Sequence, residues 1–261
     1  MGKLIPFIFF AFITCSLKAQ TWEVGAAAGG SGYMGDLNTN NPVKISGYSV
    51  GGFVKRNFDG YWSAKVSYTY GKIAAADSNS SDPQFRQRNL SFTTTLSEVS
   101  LVGEFNFMKY IPDAGKNKYT PYIFLGGATV NYFPYTIYKG NSYGLRSART
   151  EDQQKPYPTA AFSLVYGAGF KYNFSGKLTV GAQLGYRLTN TDYLDDVGGY
   201  YANRGPKDSY PGALADRSGE KTGVYIGSPG VQRGDMRPRD MYFFSQITLS
   251  YTFVTEKCYF E

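Results

Sequence analysis

The most distinctive side chain of the 261-residue sequence, chemically, is Cys258. Its one companion, Cys15, falls in an N-terminal segment expected to be removed, so this thiol would stand alone in an oxidising compartment. A leftover cysteine in that setting either bonds to a second chain or stays free. Lys257 beside it, and Lys116 and Lys118 in a turn spanning Lys109 to Tyr119, offer cations to the same partner. Asp192, Asp195 and Asp196 stand close enough in sequence to raise calcium, which takes several oxygen ligands. They lack the regular spacing of an EF-hand, and turns where a strand ends use the same residue type, so no metal is assigned. Arg233-Gly234-Asp235 spells a tripeptide that integrins bind, a match short enough to arise by chance.

Nucleophilic catalysis finds little material here. The chain has no His, so the usual base for a Ser nucleophile is missing, while an Asp, Glu or Lys base stays formally open. Neither a Gly-rich phosphate loop opening a helix nor a Cys/His metal cluster is present in the sequence. The expectation is a protein that is not an enzyme, with no catalytic residue and no cofactor.

The elements that carry these residues are read from alternation. In Met241–Phe253 the residues Met241, Phe243, Ile247, Leu249, Tyr251 and Phe253 share one face of an extended chain, and Gln246, Thr248, Ser250 and Thr252 share the other. The same pattern recurs about eight times with no apolar surface left over to cover it, which points to a closed barrel with lipid outside and a polar lumen. Gln246, Thr248, Tyr251 and Phe253 also resemble the C-terminal signal of outer-membrane barrels, although Thr248 replaces the usual Gly and eight residues follow Phe253.

Strands are expected at Thr21–Tyr33, Ile45–Asn57, Tyr61–Lys72, Thr94–Met108, Thr120–Phe133, a stripe from Phe162 to Phe174, Lys177–Asn190 and Met241–Phe253. Tyr122, Phe124, Ala128, Val130 and Tyr132 are expected to face outward, and Pro134 to Tyr157 to form a loop. Phe53 falls among polar neighbours and leaves the facing of the second strand open. The connections after the second, fourth and sixth strands are short and the others long, so the fold is an eight-stranded antiparallel transmembrane β-barrel with short periplasmic turns, long extracellular loops and both termini periplasmic. Such a barrel is just wide enough for side chains to fill. Its lumen should hold Glu23, Glu98 and Glu104 against Lys65, Lys171 and Arg187, as a structural charge network in preference to a proton path.

Lys3, the apolar run Leu4 to Ile13 and Ser16-Leu17-Lys18-Ala19 read as a signal peptide over residues 1–19, with the barrel over 20–254 and a periplasmic tail over 255–261. A lipoprotein reading at Cys15 fits less well, because Phe12 and Thr14 suit a lipobox poorly. Loss of Lys3 and Lys18 lowers the net charge from +7 to +5. That excess suits solvation and lipopolysaccharide phosphates, and no basic stripe points to nucleic acid.

Three segments carry a wider likeness: Gly32-Tyr33-Met34-Gly35-Asp36-Leu37, Thr191-Asp192-Tyr193-Leu194-Asp195-Asp196-Val197 and Arg233-Gly234-Asp235, with Lys257-Cys258 at the end. Together they resemble the PorG-like family of small outer-membrane barrels in Bacteroidota, a component of the type IX secretion system. The resemblance implies a non-enzymatic anchor for periplasmic ring proteins, a PorK-like lipoprotein and a PorN-like protein. Two other readings stay open: an adhesin or ligand-binding barrel that uses the 190–240 loop, and a narrow solute channel.

Overall fold

The structure is a computed structural model and describes residues 21–112, 117–203, 205–207 and 210–253. The expected signal peptide, Lys116, Lys257, Cys258 and the tail lie outside the described residues.

Eight long strands close on themselves. They are β1 (Thr21–Met34), β2 (Ile45–Asn57), β3 (Trp62–Ala76), β4 (Ser91–Asn106), β5 (Tyr119–Tyr138), β7 (Ala160–Ser175), β8 (Leu178–Thr189) and β9 (Met241–Phe253). Each pairs antiparallel with its neighbours, β1 joins β9, and the β4–β5 ladder completes a closed antiparallel β-barrel. The short β6 (Asn141–Gly144) pairs only with the end of β5 and extends it into a hairpin beyond the rim. Residues 134–144, expected as part of a loop, are therefore largely strand. β3 and β4 likewise run past the expected limits, to Ala76 and from Ser91.

Alternation decides which side chains face out. On β3, Trp62, Val66, Tyr68 and Tyr70 are exposed while Ser63, Lys65 and Thr69 are buried in the lumen. β1, β4, β7, β8 and β9 send Glu23, Glu98, Glu104, Lys171, Arg187 and Gln246 inward as expected, although Phe243, on the apolar face of β9, is itself buried. On β2, Tyr48, Val50 and Val54 face out, which sends Phe53 and Lys55 inward.

β5 reverses its expectation. Tyr122, Phe124, Ala128, Val130 and Tyr132 are all buried, and Ile123, Leu125 and Phe133 face out instead. Both faces of this strand are apolar, so periodicity alone does not choose, and a slip of one residue exchanges them. Glycines on the adjoining strand β7, directly opposite in register, choose. A Cβ on Gly167 would stand 2.5 Å from Phe124 Cζ, and one on Gly169 would stand 2.6 Å from Tyr122 Cζ. The two rings occupy the space those residues leave.

The interior has two storeys. Towards the short turns it is polar and charged. Towards the long connections it is a hydrophobic core in which Ile73, Leu96, Val130, Tyr132, Tyr242 and Phe244 from the strands meet Leu37, Leu90, Leu145, Leu194 and Leu214 from the connections. Four long connections thus fold over one mouth of the barrel and cap it. One of them contains the helix α1 (Pro83–Arg88), started by the Asp82 carboxylate accepting from the Gln84 N–H and by Pro83 in the first turn.

The facing of β5 can be read directly. A fluorophore on Leu125→Cys is expected to be quenched by brominated lipid or detergent around the barrel, and one on Phe124→Cys to be protected. Quenching at Phe124→Cys alone would restore the opposite facing.

Candidate functional site

Two sites emerge from the interior: a charge cluster that fills the lower lumen, and a carboxylate-rich cluster under the cap. In the lower lumen Glu104 on β4 is the hub. Its carboxylate meets Lys65 Nζ of β3 and Lys171 Nζ of β7, each at 2.7 Å, and Lys55 Nζ of β2 at 3.8 Å. Lys55 also pairs with Glu23 of β1 at 2.8 Å. Higher up, the Arg187 guanidinium forks onto Glu98 at 2.9 and 3.1 Å, and the Tyr242 hydroxyl donates to the same carboxylate at 2.7 Å. Gln183 accepts from Lys65 at 3.0 Å and donates to Gln246 at 3.0 Å, tying the charges to β8 and β9. Aromatic faces cover the cations: Lys171 lies 4.1 Å from the Tyr122 ring centroid, Lys65 5.3 Å from that of Phe124, and Arg187 4.4 Å from that of Phe244.

All six expected network residues, Glu23, Lys65, Glu98, Glu104, Lys171 and Arg187, are buried here and held in ion pairs. The expected balance of three against three is corrected by Lys55, a fourth cation. Its signal was its parity with Phe53 on β2. Two cavities among these groups measure about 20 and 10 Å³, each room for roughly one water molecule. Under them Tyr110 closes the turn end, its hydroxyl within 2.6 Å of Thr179 Oγ1.

The surface expected at the short turns is smaller than the sequence implied. Asn57, Gly60, Tyr110 and Asn173 are buried, whereas Phe58, Asp59, Lys109 and Lys118 remain exposed.

Under the cap, the motif segments converge. Asp36 follows β1, Asp195 follows β8 and Asp240 precedes β9, and one carboxylate oxygen from each lies within 4.8 Å of the others. All three are buried. Backbone donors hold one side of each carboxylate: Val197 N–H to Asp195 at 2.9 Å, Leu194 N–H to Asp240 at 2.9 Å, and Asp235 N–H to Asp36. The Tyr33 hydroxyl faces two of the remaining oxygens, Asp195 Oδ2 at 2.5 Å and Asp240 Oδ1 at 3.1 Å. Gly35 permits this approach, since a Cβ there would stand 2.0 Å from Asp240 Oδ1. Burial pushes the Asp36 carboxyl up to about 6 and drives Asp195 and Asp240 well above the usual carboxylate range, each raised further by its acidic neighbours. Burial also takes Asp192 up to about 7, with Asp36 and Asp235 adding to the rise.

Asp192, Asp195 and Asp196 do not act as one group. Asp196 turns away to accept from Thr150 at 2.5 Å and Tyr157 at 2.8 Å, near Arg233 at 3.8 Å. Asp240, which no motif marked, takes its place beside Asp195. Leu37 and Leu194 enter the cap core, and Tyr193 stacks on Tyr157 at 4.7 Å. Arg233 of the Arg-Gly-Asp tripeptide is buried, paired with Glu151 at 2.9 Å and donating to the Asp196 carbonyl at 2.7 Å. A buried arginine cannot serve adhesion, so the tripeptide is a tether within the cap.

Removing Glu104 leaves three ammonium groups buried together. Glu104→Ala is expected to cost about 3–5 kcal/mol, read as a lower urea midpoint for loss of the fast-migrating folded band on gels. An unchanged midpoint would contradict the hub.

No curated protein is similar in sequence. Among solved structures, the chain is similar to Neisserial surface protein A (NspA), at 8% identity and a TM-score of 0.43 over 90% of this chain and 100% of that one. It is also similar to a major outer membrane protein of Thermus thermophilus, at 13% identity and 0.41 over 90% and 100%. Ail, the attachment invasion locus protein of Yersinia pestis, gives 12% identity and 0.38 over 90% and 97%. A family model described as a domain of unknown function, DUF6089, matches residues 2–208. That match takes in β1 to β8 with Asp36 and the segment through Asp196, and the chain belongs to the DUF6089 family.

Proposed function

We propose that this chain is a non-catalytic outer-membrane barrel that anchors periplasmic ring proteins of a type IX secretion machine. The observation that carries this reading is a closed barrel with an apolar outer wall and a lumen shut by ion pairs. Trp62, Leu101 and Phe162 are 55%, 59% and 59% exposed on a single closed sheet. In water such a wall would be an aggregation surface; in a bilayer it is solvated, and every strand has its backbone partners. Near the short turns, Trp62, Phe105 and Phe107 cluster at 4.9 and 5.6 Å, as in an interfacial aromatic girdle.

With the lumen closed, contact with partners falls to the two ends. Short turns face the periplasm in barrels of this kind. There Lys109 and Lys118 stand exposed, close in sequence to Lys116, and the tail would add Lys257 and Cys258. The resemblance of the motif segments to PorG-like barrels supplies the partners: a PorK-like lipoprotein and a PorN-like protein, with lipid around the wall.

A second reading, an outward-acting binding barrel, draws on the apolar rim of the cap, where Tyr200, Tyr210 and Val224 are 56%, 50% and 59% exposed. Deleting the 190–240 loop would not separate the two, because Leu194, Val197 and Leu214 belong to the core. Rim substitutions such as Tyr200→Ser with Val224→Ser do: export continues under the anchoring role, and surface binding is lost under the other.

The direct test is a non-reducing gel and pull-down from outer membranes, comparing the tagged chain with Cys258→Ser. A thiol-sensitive adduct with a periplasmic lipoprotein, absent in Cys258→Ser, is expected. Partners without an adduct would keep the anchor and remove the disulfide, and a monomer with no partner would overturn the anchor.

A further inference from the structure

We propose that Asp36, Asp195 and Asp240 together hold one calcium ion under the cap. Oxygens bound to a single calcium at about 2.3–2.6 Å lie no more than roughly 5 Å apart, and these three carboxylates each present an oxygen within 4.8 Å of the others. A second observation points to a missing ligand. Asp36 is 1% exposed, its Oδ1 accepts from the Asp235 N–H, and its Oδ2 has no hydrogen-bond partner. A buried carboxylate oxygen without a donor is costly to leave so.

Protein cations do not answer the three charges. Among the described residues, the ion pairs leave Asp36, Asp195 and Asp240 aside. Arg88 approaches most closely, donating to the Asp36 carbonyl at 3.0 Å, but its guanidinium is forked onto Asp77 at 2.7 Å twice over. Tyr33 has one proton for two acceptors, at 2.5 and 3.1 Å. Asp192, whose Oδ1 also lacks a hydrogen-bond partner, adds its charge beside Asp240.

The donor set selects the ion. Carboxylate and phenol oxygens are hard ligands, which favour calcium or magnesium over zinc and copper. Magnesium keeps several waters in a regular octahedron, whereas an enclosed, carboxylate-rich and irregular set suits calcium. The placement gives the ion a task. Asp195 and Asp240 bracket the longest connection, and Asp36 ties both to the end of β1, so one ion staples that connection over the barrel mouth.

The test uses the full chain in detergent micelles, stripped with EDTA and dialysed against ⁴⁵Ca²⁺. Wild type is expected to retain a single calcium per chain. Asp36→Asn and Asp240→Asn should bind at least about tenfold more weakly, while Asp59→Asn, at the opposite end of the barrel, should bind as wild type does. Asn keeps the shape and removes like-charge repulsion, so these variants should still show the folded gel band. Calcium should also raise the thermal midpoint of wild type and of Asp59→Asn, and leave that of Asp36→Asn unmoved. Equal calcium retention by all four chains, or no retention with identical midpoints in calcium and EDTA, would overturn the site and leave the carboxyls sharing protons instead.

Discussion

Glu104 sits where three ammonium groups reach one carboxylate, and this constraint shapes the lower half of the molecule. Lys65 and Lys171 both lie at 2.7 Å from it, on strands to either side of β4. A buried cation without its anion is expensive, so β2, β3, β4 and β7 are held in the register that keeps the groups in contact. The aromatic rings follow from the same arrangement. Phe53, Tyr122 and Phe124 turn inward to cover the ammonium stems and faces, and Gly167 and Gly169 give the two β5 rings room. The result is a barrel packed with side chains and not a pore, as its strand number allows.

Most of the barrel could be read from the sequence because each strand there has one apolar and one polar face. The two failures of facing share one cause. β5 is apolar on both faces, so its orientation was settled only by the space that the glycines of the adjoining β7 leave. Phe53 left β2 open, and with it Lys55, which the sequence alone never placed inside. The upper storey was also hidden, because the residues that build its core, such as Ile73, Phe92 and Tyr138, lie at strand ends that read as loop.

The cap shows a different limit. Asp36, Leu37, Leu194 and Asp195 were marked by their motifs, and they do meet, but adjacency was a poor guide to which carboxylates share a site. Asp196 has a backbone φ of 70° and turns its side chain towards Thr150 and Tyr157. Asp240 reaches Tyr33 across 207 positions of sequence, a contact fixed by closure of the barrel and not by any local pattern. The same closure makes Arg233 a buried strut between Glu151 and the Asp196 carbonyl, where a surface motif had been conceivable.

The central claim is that ion pairs and aromatic rings shut the lumen, leaving the two ends of the barrel for function. Conductance of the purified protein across a planar lipid bilayer tests this most directly. A closed lumen predicts insertion without steady single-channel steps, at either polarity. Stable, repeated steps of uniform size from the wild-type chain would contradict it and return the molecule to the class of channels.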